Sequence, residues 1–541
     1  YASQDGVLYY NNPYTGVELK AYLKKDAEFV VPDKITVTTG ENDDGYVEED
    51  WLVSYIGRGA FYDLQLQTVT IGANVKSILA YAFNRCNVLK TVYSAPTPEG
   101  QEPVSLEIET YGFNFCAALK EVNLPARFSK INTFMIFTCQ ELSAINVEEG
   151  NANFKTEDGV LFTADGSTLL LYPAAKRGNY TVPTSVQVIG PRAFNALTRL
   201  GVLTIGGHVR EISSYAISNL WSQNAVINFT GKADEMDLTI QPNAFYYNDH
   251  LTEITLPENL QVLSKNAFIT CYSIKRVTLN SVAKEGVFSI DTPVFADGVQ
   301  ELRLGAGIPI LDFTGIFGLG LRSVVVNPAN PNYTSVDDVV FNKEVTEILF
   351  FPTAKGGEYT TPASVVKIGA NVFLNRPYLT KVTLTSKITE IGKSAFSGCS
   401  KLTEIDFGTN SALTKIDSKA FANCELLTEI TLPASLTTLG EGYDASVFDG
   451  CIRLEKINVE QGSEKFISKD GILYGKGETE ADLYKTLVKV PQRVTFANGI
   501  ADLPKTLSGI ADYAFAGNEI VTSVTFVGGI NAPLAIGKYA F

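Results

Sequence analysis

The residues of this chain best suited to chemistry are seven cysteines and two histidines. His208 and His250 are the whole histidine complement, a thin basis for acid–base or metal chemistry, and both read as surface or loop residues. In an oxidising compartment seven cysteines suggest three disulfides and one free thiol. Their positions argue otherwise. Cys86, Cys116, Cys139, Cys271, Cys399, Cys424 and Cys451 each lie three residues after the same point of a recurring phrase, occupied by Phe83, Phe113, Ile136, Phe268, Phe396, Phe421 and Phe448. Elsewhere the same slot holds Asn248, Asn518, Leu64, Leu197 or Leu220. A slot that accepts Cys, Asn or Leu faces inward at a bend, where a small, weakly polar thiol can meet a backbone group. Stacked copies would have parallel Cβ vectors, poor geometry for a disulfide. Buried, reduced thiols are expected. Seven equivalent copies argue against a single nucleophile, and no Cys-x-x-Cys pair offers a zinc site.

Other chemical motifs fail on inspection. Gly392-Lys393-Ser394 resembles the end of a phosphate loop, but the glycine required five residues earlier is Lys387. The stretch Glu41-Asn42-Asp43-Asp44-Gly45 hints at a calcium loop. Aligning Gly45 as the central glycine puts Gly40 at the first ligand position and Trp51 at the last, where a carboxylate is needed. It reads as a solvated acidic insertion. Asp158, Asp337 and Asp470 recur in equivalent places and are expected to be turn residues, because Asp hydrogen-bonds its own backbone there. No Gly-x-Ser-x-Gly occurs. No catalytic residue, metal or cofactor is expected.

The elements that hold these residues are set by the repeat. The phrase reads Ile-Gly-x-x-Ala-Phe-x-x-Cys-x-x-Leu-x-x-Val-x-Leu, clearest from Ile391 to Phe407. Its central aromatic position recurs at 61, 83, 113, 136, 194, 217, 245, 268, 295, 317, 373, 396, 421, 448, 515 and 541, with Ile at 136 and 217 and Phe elsewhere. The shortest steps are 22 or 23 residues. Three long steps, 136 to 194, 317 to 373 and 448 to 515, hold a second module. It appears as Phe154-x-x-x-Asp158-Gly159-Val160-Leu161-Phe162, as Tyr333 to Phe341 and as Phe466 to Tyr474. Two copies continue through Tyr172-Pro173-Ala174-Ala175-Lys176 and Phe351-Pro352-Thr353-Ala354-Lys355.

Each unit ends in a short strand with apolar residues two apart, such as Ile254 and Leu256, which share a face. Outward between them sit Thr70, Thr204, Thr255, Thr278, Thr383, Thr431 and Thr525, with Asn123, Asn146 and Asn458, as suits an exposed sheet face. About eighteen residues separate successive strands, enough for one crossover back to the same edge. One such unit cannot bury its Phe, Leu and Ile alone; stacked units can. Roughly 20 coils at ~4.8 Å per strand would make a rod or arc on the order of 100 Å long.

The repeat resembles the bacterial BspA-like leucine-rich repeat of surface proteins. The residues that carry the likeness are the Ile-Gly-x-x-Ala-Phe-x-x-Cys-x-x-Leu cores and the Asp-Gly-Val-Leu-Phe modules, over nearly the whole chain. The resemblance implies a β-rich α/β solenoid with one short parallel strand per ~23-residue coil. It also implies secretion or cell-surface display, and adhesion to host matrix proteins or other cells. It offers no catalytic residue.

Composition is that of an ordinary folded chain, and the resemblance implies an extracellular or cell-surface binding scaffold. The chain has 541 residues, of which 45% are hydrophobic, and no run of ~18 apolar residues that would span a membrane. Its net charge of −15 argues against nucleic acid or anionic membrane as partner. The partner expected is a protein or glycan macromolecule, host matrix included. The competing expectation is a passive spacer presenting another domain. The whole of 1–541 reads as one solenoid, with 1–60 an irregular N-terminal module. Tyr1 aligns with Phe154 and Phe541 falls within a repeat, so the natural protein is expected to extend beyond this sequence. A binding site is expected on aromatics outside the core slots, namely Trp51, Trp221, Tyr246 and Tyr247, near insertions at 95–105, 231–238 and 280–286.

Overall fold

The computed structural model describes residues 1–541 except 43–44, 133, 285–286, 310–317, 441–444, 527–528 and 530–532. Phe317, one of the recurring aromatics, lies outside the described residues, as do Asp43 and Asp44 of the acidic stretch and residues 285 and 286 of the last insertion. The chain forms two compact units, one covering Tyr1–Gly298 and the other, among the described residues, 299–309 and 318–541.

Within each unit a coil contributes strands to more than one parallel sheet. Glu390–Ile391, the strand that leads into Gly392, pairs with Lys367–Ile368 on one side and Lys415–Ile416 on the other. The outward-Thr strand Leu379–Thr383 pairs with Glu404–Asp406 of the next coil. Unit 1 repeats this, with Val188–Ile189, Glu211–Ile212 and Leu238–Ile240 in one sheet and Gly178–Thr181, Leu200–Ile205 and Val226–Phe229 in another. The turn between the two strands also stacks: Phe113–Asn114 pairs with Ile136–Phe137, and Phe194–Asn195 with Ile217–Ser218. The expectation of one strand per coil is therefore too low.

The α component of the expected fold is also corrected. Among the described residues there is no α-helix, and three short 3-10 turns, Ala445–Phe448, Glu480–Asp482 and Ala497–Gly499, are the only helical elements. The reason lies in the turn. Residues two before the central aromatic (Tyr81, Tyr111, Arg192, Tyr215, Asn371, Ser394) and two after it (Asp63, Arg85, Phe115, Ala196, Tyr247, Asn423) have positive φ. A left-handed residue costs a non-glycine roughly 1–2 kcal/mol and cannot continue a right-handed helix. Stacking offsets the cost, because these N–H groups bond the adjacent coil, as Arg85 does to the Asn114 carbonyl at 2.8 Å and Phe115 to the Phe137 carbonyl at 3.0 Å.

The central aromatics form the core. Phe61, Phe83, Phe113, Phe194, Phe245, Phe268, Phe373, Phe396 and Phe421 are fully buried. Neighbours stack face to face, Phe61 on Phe83 at 4.7 Å and Phe373 on Phe396 at 4.6 Å between centroids. The cysteine slot behaves as the sequence suggests. All seven cysteines are free and buried. Each thiol donates to the carbonyl of the central aromatic one coil earlier, for example Cys86 to Phe61 at 2.8 Å, Cys271 to Phe245 at 2.9 Å and Cys399 to Phe373 at 3.1 Å. Where the slot is Asn248 or Arg376 the donor changes and the acceptor class does not: Nδ2 of Asn248 bonds the Ile217 carbonyl at 2.8 Å, and Nε of Arg376 the Phe351 carbonyl at 2.7 Å.

The second module is an antiparallel hairpin. Phe154–Glu157 pairs with Val160–Thr163, Tyr333–Val336 with Val339–Asn342, and Phe466–Lys469 with Ile472–Lys476. The turn residues Asp158 and Gly159, Asp337 and Asp338, and Asp470 and Gly471 all have positive φ. That is the two-residue hairpin turn suited to strand twist, so the recurring aspartates are turn residues as expected. Lys176 closes the first hairpin, its Nζ 2.7 Å from the Asp158 carboxylate. In residues 1–60, Val7–Asn12 pairs with Gly16–Tyr22, and Lys34–Asn42 pairs antiparallel with Gly45–Ile56.

Candidate functional site

The outward Thr strands and the aromatic turns lie on different connections of the coil. The insertions 95–105 and 231–238 follow the outward strands Thr91–Ser94 and Val226–Phe229. Tyr93, 47% exposed, lies on the first of these strands, but the exposed Phe115 and Tyr247 lie instead on the turn around the buried Phe. The insertions and the turn aromatics, which the sequence reading joins, are thus distinct features.

In unit 1 the left-handed residues Tyr81, Tyr111, Arg192, Tyr215 and Tyr247 are aromatic or cationic, and neighbouring turn residues join them into one run of ring contacts. The Arg58 guanidinium lies 5.3 Å from the Tyr81 ring, and Tyr81 stacks on Tyr111 at 5.1 Å. Tyr111 meets Phe134 at 5.3 Å and the edge of Phe137 at 5.6 Å. Arg192 then lies 3.9 Å from the Phe134 ring centre and 5.1 Å from that of Tyr215. Tyr215 meets Tyr246 at 5.3 Å, and Tyr246 meets Tyr247 at 5.5 Å. Most of these groups are half-buried against one another, and Phe115 and Tyr247 are exposed by 48% and 47%. The result is a continuous aromatic stripe along the turn face of unit 1.

Three of the four expected site residues belong to this region. Tyr246 and Tyr247 end the stripe. Trp221, 40% exposed, is one coil away: the Asn219 N–H bonds the Tyr246 carbonyl at 3.0 Å, and the Leu220 N–H bonds Oδ1 of Asn248 at 2.9 Å. Those bonds run the segment bearing Trp221 alongside that bearing Tyr247. Trp51 is elsewhere. It lies in the Gly45–Ile56 strand opposite Ile35, partly buried against the core, with its indole N–H 3.4 Å from the Glu49 carboxylate. The structure does not bring Trp51 to the other three.

Sequence reasoning missed Tyr81, Tyr111, Phe134, Arg192 and Tyr215. A signal existed for three of them, since Tyr recurs two residues before the central aromatic at 81, 111 and 215. No sequence signal joins Arg192 to Phe134, which are brought together across the inserted module.

That junction has its own geometry. The coil through Tyr172 lies between those of Ile136 and Phe194: the Tyr172 N–H bonds the Ala193 carbonyl at 2.8 Å, and the Ala175 N–H bonds the Leu142 carbonyl at 2.8 Å. It carries Tyr172-Pro173-Ala174-Ala175 in place of the full aromatic turn. A small cleft of about 20 Å³, room for about one water, remains at this point, lined by Ile136, Thr138, Leu171, Tyr172, Arg192 and Asn195. Arg192 is half-buried there and makes no hydrogen bond or ion pair among the described residues. Burial lowers the proton affinity of its guanidinium, opposed by the hydroxyls of Tyr111, Tyr215 and Tyr246. An arginine remains charged through the physiological range.

The family model described as "BspA type Leucine rich repeat region" matches in six copies over residues 50–158, 174–298 and 332–470. No curated protein matches the sequence significantly. Among solved structures, the chain is similar to a leucine rich cell surface protein of Faecalibacterium prausnitzii A2-165, at 16% identity over 98% of this chain and 95% of that one, with a TM-score of 0.25. It is similar to the pneumococcal vaccine antigen PcpA at 17% identity, over 99% of this chain and 98% of that one, with a TM-score of 0.26. A leucine-rich repeat protein of Eubacterium ventriosum ATCC 27560 aligns at 17% identity over 83% and 93% of the two chains, with a TM-score of 0.31.

Proposed function

The chain belongs to the BspA-type leucine-rich repeat family, and from that premise we propose that it is a secreted or cell-surface scaffold that binds a macromolecule through the aromatic turn face of unit 1. The observation that carries the reading is the continuous stripe from Arg58 to Tyr247. Tyr, Trp and Arg are enriched among residues that dominate binding energy, because they bury much area at low entropic cost. A contiguous stripe of half-buried and exposed aromatics on the surface of a repeat protein is the kind of apolar patch that marks an interaction surface. The outward Thr row, by contrast, is made of small polar side chains suited to an inert sheet face. Adhesion, to host matrix or to another cell, is the biological form this reading takes.

The test is an array of matrix proteins, peptides and glycans probed with the wild-type chain and with a triple variant, Trp221→Ser, Tyr246→Ser and Tyr247→Ser. Binding that the triple variant loses while its thermal transition is unchanged supports the reading. Binding insensitive to the variant, or no binding to any member of the array, favours the passive spacer.

A further inference from the structure

We propose that Arg192 is the carboxylate-reading centre of the turn face, and that its ligand is an acidic segment of a polypeptide laid along the stripe. The inference deepens the turn-face reading and rests on it. Three observations carry it. Arg192 has no acidic partner among the described residues, although the chain holds 59 acidic residues against 44 basic ones. Its guanidinium is held between two rings, Phe134 and Tyr215, at the mouth of the cleft left by the shortened coil. The fold does not require a cation there: the corresponding residues at the other two module junctions, two before Phe373 and Phe515, are Asn371 and Tyr513.

The chemistry selects the ligand. A guanidinium fixed by ring contacts presents a planar fork of N–H donors whose geometry matches a carboxylate. The Tyr215 ring lies 5.1 Å from the guanidinium and Tyr246 meets Tyr215 at 5.3 Å, so phenol rings flank the same anion. Tyr81 and Tyr111 stack on each other at an angle of 25°, so their outward parts are ring edges, the positive part of the aromatic quadrupole. Edges suit carboxylates and peptide carbonyls. A sugar needs an open ring face, and the face of Phe134 at this point is covered by Arg192. The favoured occupant is therefore an extended acidic peptide with apolar side chains beside its carboxylate, over Phe115 and Tyr247.

The experiment uses the full chain against an array of randomised 15-residue peptides and a panel of acidic sugars. Four forms are compared: wild type, Arg192→Ala, Arg192→Lys, and the double variant Tyr246→Ser with Tyr247→Ser. Retained peptides are expected to be enriched in Asp or Glu next to an apolar residue. Arg192→Ala should weaken them about tenfold or more, and Arg192→Lys should not restore them, because an ammonium cannot form the fork. Replacing the peptide's Glu by Gln should cost the same in wild type and nothing further in Arg192→Ala. Equal binding by wild type and Arg192→Ala, retention of acidic sugars alone, or no retained peptide would overturn the proposal. Loss in the tyrosine variant with no loss in Arg192→Ala would remove this inference and leave the turn-face reading standing.

Discussion

Truncating Phe396 to alanine should destabilise unit 2 far more than truncating Thr383. Phe396 is fully buried and stacks between Phe373 at 4.6 Å and Phe421 at 5.4 Å. Phe→Ala in a core costs about 3–5 kcal/mol from lost burial and the cavity left behind. Loss of two ring stacks, each worth about 0.5–1.5 kcal/mol, pushes the value to the upper part of that range. The neighbours cannot close the gap easily, because the N–H of Phe396 bonds the Ala420 carbonyl at 2.8 Å and its carbonyl accepts from Cys424 at 3.3 Å, which fix the coil spacing. Thr383 lies on the partly exposed outward face, and Thr383→Ala should cost about 1 kcal/mol or less. Both tryptophans, Trp51 and Trp221, belong to unit 1, so their fluorescence is a poor reporter here. Hydrogen exchange of peptides spanning 379–432 in rising urea gives the local free energies directly. Equal costs, or a larger cost for Thr383→Ala, would refute the ladder as the source of stability.

Four further outcomes follow. A thiol reagent should label few of the seven cysteines in the native protein and close to seven after unfolding without reductant; one free thiol after unfolding would mean three disulfides. Burial pushes Cys271, Cys399 and Cys451 up to about 12, whereas unfolded thiols ionise near ~8.5. These groups therefore contribute stability below pH ~8.5 that is lost progressively as pH rises towards their folded values, and urea midpoints that rise over this window would contradict the assignment. Gly159→Ala should cost about 1–2 kcal/mol, since φ is +72° and a Cβ there would come within 3.0 Å of Ala144, and a neutral thermal shift would contradict that turn. Arg127→Met should cost about 2–4 kcal/mol by stripping buried carbonyls of Gly72, Val75 and Val104 of donors at 2.7–2.9 Å; unchanged exchange around 95–106 would show that this guanidinium does not anchor the insertion.

What the sequence revealed was what burial constrains by residue type. The Phe ladder, the cysteine slot and the Asp-Gly hairpins were legible because an inward or left-handed position with a tight neighbour admits few side chains. The turn conformation was not. Its left-handed positions hold Tyr, Arg, Asn, Ala, Thr and Ser, types with no common backbone preference, and the conformation comes from hydrogen bonds to the next coil. The α component that the resemblance implies is therefore absent among the described residues, where the crossover is divided by two left-handed residues and a third stack of short strands. The candidate site was legible at Tyr246, Tyr247 and Trp221, which depart from the core slots. It was not legible at Arg192 and Phe134, whose contact depends on a shortened coil lying between them. Trp51 departs from the consensus for another reason: it packs its hairpin onto the core.

The central claim is that the aromatic turn face, not the Thr sheet, is where this molecule meets its partner. Hydrogen exchange of the full chain with and without a captured ligand tests it most directly. Protection is predicted in the turns 79–89, 109–119, 134–142, 190–197 and 213–222 and in residues 244–250, with little change in the outward strands Glu253–Leu256 and Arg276–Leu279. Protection confined to those strands, or to unit 2, would contradict it.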